Sequence, residues 1–429
     1  MEEYQKIERE KAASVIHLPV RVNALEIERT INAQLDGLIY EDNSMEDNDG
    51  DQLQMRIEKN GDIHIDLEGQ EVQYRVPLRL WIRKGIGLGD VEATGAITMK
   101  FTTHFDIDAE WKVVSNTVID SYQWVTAPRL KMGFLKLPVK SIASGLLDRS
   151  KKTIARKIDE QIASRFVLQQ YVHAIWTELQ KPLLISEEYN AWMKITPESM
   201  QMTPLRSDVN TVLSTISING FSEVEIGEQP AFNADFNLPA FKLEEQQPDD
   251  NYQLNISTEV PFKEAEKIAL DQLRQQRFQF GDREVQVKDL KLFGQNEKLI
   301  VEAEVTGSFE GQVFLEGVPF YSPEDNSIKV RDLEFEVKTK NLLHKTAAWL
   351  FRKNLTRLIH QQLEFPLKDN IEALMGMINE RLTNYQLAEG IMLNGQLEVL
   401  NIEETFLTPK GFVVIVHSEG HLDLRIDGI

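Results

Sequence analysis

The stretch Val139–Leu179, VKSIASGLLDRSKKTIARKIDEQIASRFVLQQYVHAIWTEL, decides how the rest of the chain is read. Ile142, Leu146, Ile154, Ile158, Ile162 and Phe166 recur mostly at four-residue steps, with Lys, Arg, Asp and Glu between them. That spacing places the apolar side chains along one face of an α-helix. Pro138 and Pro182 bracket the run, as residues that cannot extend a helical ladder. Unbroken, about 40 residues rising about 1.5 Å each would reach roughly 60 Å.

A second run, Asn341–Leu382, repeats the step through Leu343, Ala347, Leu355, Ile359 and Leu363. Ile158-Asp-Glu-Gln-Ile162 lies over Ile359-His-Gln-Gln-Leu363, and Pro366 is expected to divide this second helix. The likeness extends upstream. In His17–Leu35 and Asn255–Leu273, Glu26, Glu28, Gln34 and Leu35 recur as Glu264, Glu266, Gln272 and Leu273 at one constant offset. Two related halves are expected, a domain duplication whose period far exceeds that of a solenoid.

Between these landmarks the period changes to two. Ile16, Leu18, Val20 and Val22 alternate with polar residues, and Pro19 suggests that this strand lies at a sheet edge. A short helix carries Leu25, Ile27, Ile31 and Leu35, and Glu41–Asp51 reads as an acidic loop. Strands follow through Leu53–Ile57, Ile63–Leu67 and Val72–Ile82, with Gly85, Gly87 and Gly89 closing a hairpin. From Val91 the odd positions Ala93, Ile97, Met99, Phe101, Phe105 and Ile107 are apolar and the even ones polar, up to a turn expected near Asp106–Ala109. Alternation of this kind means one wet and one buried face. Ile216, Ile218, Val224, Ile226, Phe232 and Phe236 suggest short middle strands, and Lys242–Asn251 a polar linker. Leu299–Val305, Phe309, Val313 and Leu315 restart the strand pattern. The tail, Leu387–Ile429, is expected to join the middle strands in one sheet.

The fold class expected is α+β: duplicated units, each a long helix wrapped by a curved antiparallel sheet, joined by a central sheet. The boundaries read as 14–190 for the first unit, 191–245 for central strands, 246–386 for the second unit and 387–429 for the closing strands.

Composition narrows the functional classes. A chain of 429 residues exceeds one ordinary core. With 42% hydrophobic and 27% charged residues it is a folding sequence. The net charge of −21 argues against nucleic acid as a partner. The absence of cysteine excludes disulfides and thiolate chemistry. The first residues, MEEYQKIEREKAAS, are not those of a secretory leader. The expectation is a bacterial periplasm or envelope protein whose leader has been removed, with the cytoplasm as the alternative.

Four stretches carry a family likeness: Val72–Trp81 (VQYRVPLRLW), Trp111–Trp124 (WKVVSNTVIDSYQW), Gly311–Tyr321 (GQVFLEGVPFY) and Asp332–Trp349 (DLEFEVKTKNLLHKTAAW). Through them nearly the whole chain resembles a bacterial family known as a domain of unknown function. In its order of elements it resembles the TULIP superfamily of tubular lipid-binding proteins, which includes the bactericidal permeability-increasing-like proteins. That resemblance implies a lipid-sized cavity between helix and curved sheet, with no catalytic residues to carry over. The side chains expected to line it are Ile154, Ile158, Ile162, Phe101, Phe105, Leu355, Ile359, Leu363 and Phe309.

Reactive chemistry finds little support. His417 and His421 sit four apart in a strand and do not converge as zinc ligands must. Asp47, Asp49, Asp51 and Glu58 match calcium-loop spacing, but the glycine falls at Gly50, so a solvated loop is the better reading. The three glycines at 85–89 lack the Lys-Ser/Thr of a phosphate loop. Arg149, Lys151, Lys152, Arg156 and Lys157 form the wet face of the helix. No enzyme, metal or cofactor is expected. The expected partner is a lipid or other hydrophobic molecule, with an envelope or membrane protein as a further partner. The alternative is a structural or protein-interaction module with filled cores.

Overall fold

The structure, a computed structural model, describes residues 12–34, 37–46, 52–69, 71–87, 89–130, 139–165, 168–187, 189–208, 211–232, 235–280, 283–308, 310–339, 365–366, 368–388 and 390–426. The first third of the chain runs β1 (Ser14–Asn23), α1 (Ala24–Gln34), β2 (Leu38–Asp42), β3 (Leu53–Lys59), β4 (His64–Glu68), β5 (Glu71–Gly85), β6 (Asp90–Ile107), β7 (Val113–Leu130), α2 (Val139–Arg165) and α3 (Leu168–Leu179). The middle adds β8 (Leu183–Ser186), β9 (Ala191–Met202), β10 (Arg206–Asp208) and β11 (Thr211–Ile226). Next come β12 (Asn251–Pro261), α4 (Phe262–Leu273), β13 (Phe278–Phe280), β14 (Arg283–Gln295), β15 (Lys298–Gly307), β16 (Gly311–Ser322), β17 (Ser327–Thr339) and β18 (Phe365–Pro366). The chain closes with α5 (Lys368–Leu382), β19 (Tyr385–Ala388), β20 (Ile391–Leu407) and β21 (Gly411–Ile426).

Among the described residues these strands form three sheets. One has the order β2-β3-β5-β6-β7, with β4 beside β5. Another runs β13-β14-β15-β16-β17-β18 in sequence order. The third, nine-stranded, has the order β19-β20-β21-β1-β12-β11-β9-β8, with β10 on β11. The tail strands and the middle strands thus lie in one sheet, with β1 and β12 between them. The described chain is mostly strand.

Strand β6 shows why the first sheet forms. Ala93, Gly95, Ile97, Met99, Phe101 and Thr103 are buried, while the residues between them are half-buried. A period of two puts all of these on one face. The register with β5 holds from Glu71↔His104 to Gly85↔Asp90 without a slip. With β7 it slips near Thr94/Ala96 and Lys100/Phe101, and such bulges bend and twist a sheet. Helix α2 lays Ala143, Leu147 and Ile154 into the same core as Ile57, Leu78, Leu80, Met99 and Phe101. The expected helix from Val139 to Leu179 is described as α2 and α3, on either side of residues 166–167.

Two short helices make the same connection. On α1, Glu28 Oε2 accepts the Ile65 N–H at 2.9 Å. On α4, Glu266 Oε1 accepts the Leu292 N–H at 2.7 Å. These are the glutamates that the sequence repeats at constant offset, and each ties its helix to the sheet beside it.

Several local expectations are corrected. Pro19 is not at an edge, because β1 pairs with β11 along its whole length and meets β12 at Val15–Ile16 and β21 at Val20–Arg21 on the other side. Pro19 stands in the gap between those two partners, where a missing N–H is tolerated. Glu41 belongs to strand β2, paired with Arg56, and not to a loop. The middle strands are long, and Phe232 and Phe236 are exposed outside any strand. Pro366 sits in the two-residue strand β18 against β17. Of the second helical run, Asn341–Leu382, the part from Lys368 is helix α5, while Leu343, Ala347, Leu355, Ile359 and Leu363 lie outside the described residues, as do Phe309 and the acids Asp47, Asp49 and Asp51.

The start of the presumed linker, Lys242–Asn251, is docked as the end of a strap that begins at Asp235. Trp111, 1% exposed, donates its indole N–H to the Pro239 carbonyl at 2.7 Å and meets the Phe241 ring edge-on at 5.0 Å. Trp176 donates to the Asp235 carbonyl at 2.8 Å. The backbone N–H of Glu244 donates to Met202 O at 3.0 Å. Ser217 donates to the Glu244 carboxylate at 2.5 Å and contacts His17 Nδ1 at 2.8 Å. Trp111 holds φ at 63°, a left-handed conformation that costs about 1–3 kcal/mol outside glycine. Burial of its indole and its hydrogen bond to the strap offset that strain.

Two predictions follow from this packing. In β21, a Cβ on Gly420 would collide with the Gln396 carbonyl and stand 2.7 Å from the Tyr252 hydroxyl, whereas one on the exposed helical Gly376 meets nothing. Gly420→Ala should therefore lower stability by about 1–3 kcal/mol in urea unfolding, and Gly376→Ala raise it by about 0.5–1 kcal/mol. Burial lowers the His17 pKa below 6.5, against the opposing pull of Glu244, Asp249 and Asp250. A depressed pKa means the folded chain binds fewer protons than the unfolded one. Stability from neutral His17 is then complete above pH 6.5 and is lost as pH falls through the lower folded-state value. His17→Gln should flatten that acid-side slope in a pH series of urea midpoints.

Candidate functional site

The inner face of the first sheet is longer than the helix upon it. Toward the end of β6, the wall of Tyr74, Phe101, Phe105 and Ile107 is faced by α2 through Ile154, Ile158 and Ile162. The central sheet approaches from the other side with Val20, Met202, Val212 and Ile426, and α1 and α3 add Ile31 and Leu168. A cavity of about 460 Å³ remains among them. Its volume falls within the range of small-molecule sites, roughly 300–1,000 Å³.

Five of the side chains singled out in the sequence meet there: Phe101, Phe105, Ile154, Ile158 and Ile162 all line the cavity. The other four, Leu355, Ile359, Leu363 and Phe309, lie outside the described residues. Sequence reasoning missed the contributions of β1, β9, β11 and β21. Val20, Met202, Val212 and Ile426 belong to strands whose periodicity marks an apolar face but not its partner. Tyr74 was legible as an inward position of β5, yet nothing local marked it as a wall of the cavity.

The polar lining is sparse. Lys157 and Asp106 are exposed residues of opposite charge, and Lys157 Nζ is 3.6 Å from the Glu160 carboxylate. Ser214, Tyr171 and Tyr74 complete the polar set. Tyr74 stacks on Phe101 with ring centroids 5.2 Å apart, as their register pairing dictates. Its hydroxyl is 2.8 Å from Thr103 Oγ1, which is 2.7 Å from Thr117 Oγ1. Thr117 donates to Asp159 Oδ1 at 2.7 Å, Ser115 donates to the same oxygen at 2.8 Å, and the Thr117 N–H reaches Oδ2 at 3.3 Å. Thr103 and Thr117 are buried and Asp159 belongs to α2. The chain therefore crosses β5, β6 and β7 and ends on the helix that carries the cavity's isoleucines. Burial raises the Tyr74 pKa above its ordinary 10; the charge of Asp159 acts the same way, and the threonine hydroxyls oppose it.

The other constellations read in the sequence are engaged locally. His417 contacts Asn255 at 2.9 Å and Glu419 at 2.8 Å, and His421 contacts Glu398 at 3.1 Å. Elsewhere on the first sheet, His64 lies 3.7 Å from Glu28, and Asp66 on the same strand pairs with Arg75. Ile86 N–H bonds Gly89 O in the hairpin turn. Within the basic row, Lys151 pairs with Asp148 and lies over the Tyr122 ring, and Arg156 pairs with Glu160. Among the described residues no group of three or more His, Asp or Glu is placed to hold a metal, and no helix is long and apolar enough to cross a membrane.

A family model for a domain of unknown function, DUF4403, matches residues 12–426. The chain belongs to the DUF4403 family. Its four family-like stretches lie within that match. Among solved structures, the DUF4403 chain is similar to a crystal structure of lipopolysaccharide binding protein, with 9% identity and a TM-score of 0.32 over 97% of this chain and 99% of that one. It is also similar to P47 from Clostridium botulinum A2, with 10% identity and a TM-score of 0.23 over 94% of this chain and 96% of that one. No curated protein matches the DUF4403 chain in sequence.

The polar chain yields a stability test. Asp159→Ala leaves the buried Thr117 and half-buried Ser115 hydroxyls without their acceptor. It should cost about 1–3 kcal/mol in urea unfolding, more than Glu160→Ala on the exposed face of the same helix.

Proposed function

We propose that this protein binds a lipid or another hydrophobic chain-like molecule in the cavity beside α2, and performs no chemistry on it. The observation that carries the reading is the cavity itself: about 460 Å³, walled almost wholly by Ile, Val, Leu, Met and aromatic side chains. A void with such walls has no polar partners to hold water well. A hydrocarbon chain does gain there, by about 0.8 kcal/mol for each methylene removed from water. Eight to ten buried methylenes, roughly 6–8 kcal/mol in gross terms, would offset much of the association cost of about 4–15 kcal/mol. Affinity would then rest on shape and area, and a few polar groups would select the ligand's head.

The same reading takes the fold as two duplicated units, each a helix against a curved sheet, meeting at the central sheet. Its support is the pair Glu28 and Glu266, which repeat in sequence and each accept a strand N–H from the sheet that follows. The unit boundaries proposed are 14–190 and 246–386, with 191–245 and 387–429 as the joining strands. A bacterial envelope location belongs to the proposal as well, and rests on the family likeness of the sequence.

Ile158→Trp fills the cavity from the helix side with little effect on the sheet. It should weaken binding of the neutral fluorophore N-phenyl-1-naphthylamine about tenfold or more, with an Arg156→Ala control unchanged. If the wild-type protein fails to bind the fluorophore, or binds it equally well with Trp at 158, the cavity is not the binding site.

A further inference from the structure

Two hydroxyls at the cavity wall have their hydrogens committed elsewhere. Asp159 accepts three hydrogen bonds, from the Ser115 and Thr117 hydroxyls and the Thr117 N–H, which is the bonding of a carboxylate with no proton to give. Thr117, having donated to Asp159, has only lone pairs for Thr103 and must accept from it. Thr103 must then accept from Tyr74. The direction of every bond in the row is thus set by the acid on α2, and the Tyr74 hydrogen points along the row and away from any ligand. On the opposite wall, Ser214 donates to the Thr203 backbone carbonyl at 2.8 Å, and its oxygen lies 3.3 Å from the Thr203 hydroxyl, which accepts the Thr215 N–H and has its own hydrogen to give. Tyr74 and Ser214 both line the cavity. Each keeps a lone pair to offer and no hydrogen. The rim charges supply no net cation, since Lys157 is countered by Asp106 and Glu160.

We propose that the cavity selects, among single-chain amphiphiles, those whose polar end donates a hydrogen bond, such as an alcohol, an amide or a glyceride hydroxyl, over those whose polar end only accepts. This rests on the reading of the cavity as a hydrophobic-ligand site. Tyr74 is the specificity-determining residue, and Asp159, acting through Thr117 and Thr103, is a positioning residue. Replacement by asparagine reverses the logic. An amide at 159 can donate to Thr117, and the row can then run outward and release the Tyr74 hydrogen toward the cavity.

The test is displacement of N-phenyl-1-naphthylamine from the full chain by dodecanol and by dodecyl methyl ether. Both are neutral and of similar length, and they differ in one donated hydrogen. The wild-type protein should favour the alcohol by about tenfold, the worth of one good hydrogen bond in a dry site. Tyr74→Phe, which keeps the stacking on Phe101, should bring the ratio close to one, and Asp159→Asn should narrow it. A wild-type ratio near one, or a ratio retained in Tyr74→Phe, overturns the selection while leaving the cavity a hydrophobe site. A ratio lost in Tyr171→Phe and kept in Tyr74→Phe overturns it too, as does tighter binding of dodecanoate than of dodecanol. No binding of the fluorophore by the wild-type protein removes the underlying reading, and the selection with it.

Discussion

One face of each long strand has to leave water, and a single helix is too narrow and too short to cover it. Strand β6 has 18 residues and spans about 60 Å at about 3.4 Å each. Helix α2 has 27 residues and reaches about 40 Å at about 1.5 Å each. Where α2 lies over the sheet, Ala143, Leu147 and Ile154 close the gap and the core is tight. From Ile154 onward, Ile158 and Ile162 of α2 face Phe101, Phe105 and Ile107 across a gap that other elements must close. The central sheet, α1 and α3 do so incompletely, and the cavity is the remainder.

The central sheet is the joint that makes this closure possible. Strands β1 and β12 begin the two short-helix segments and lie side by side within it, flanked by β21 and β11. The strap over residues 235–247 then holds the turn after β6 to this sheet, with Trp111, Trp176 and Glu244 as its fastenings. A turn that carries a buried tryptophan at φ 63° needs such a fastening, because the strain is otherwise uncompensated. The end of β6 that lines the cavity is fixed in this way from both sides.

Within so apolar a setting the row from Tyr74 to Asp159 stands out. Placing four polar side chains, two of them fully buried, next to a hydrophobic cavity is unfavourable unless every hydrogen finds an acceptor. The row satisfies that condition with one acid at its end, and it ties α2 to the inner face of the sheet at a cavity residue. The groups that hold the helix in place also set the direction of the Tyr74 hydroxyl hydrogen.

How much of this was legible in advance depends on the range of the interaction. Four-residue steps fixed the face of α2, and two-residue steps fixed the inner face of β6. Ile154, Ile158, Ile162, Phe101 and Phe105 could be grouped because both periods are local consequences of backbone geometry. The repeated glutamates were visible for the same reason. Pro19 misled, because an edge is defined by what lies alongside a strand and not by the strand itself. Phe232 and Phe236 misled, because their spacing imitates a strand in a segment held by other residues' hydrogen bonds. Val20, Met202, Val212 and Ile426 as cavity walls, and the join from Thr117 to Asp159, needed the tertiary structure. By itself the sequence determined which faces must turn from water; only the folded chain decided which faces meet, since that depends on contacts between residues hundreds of positions apart.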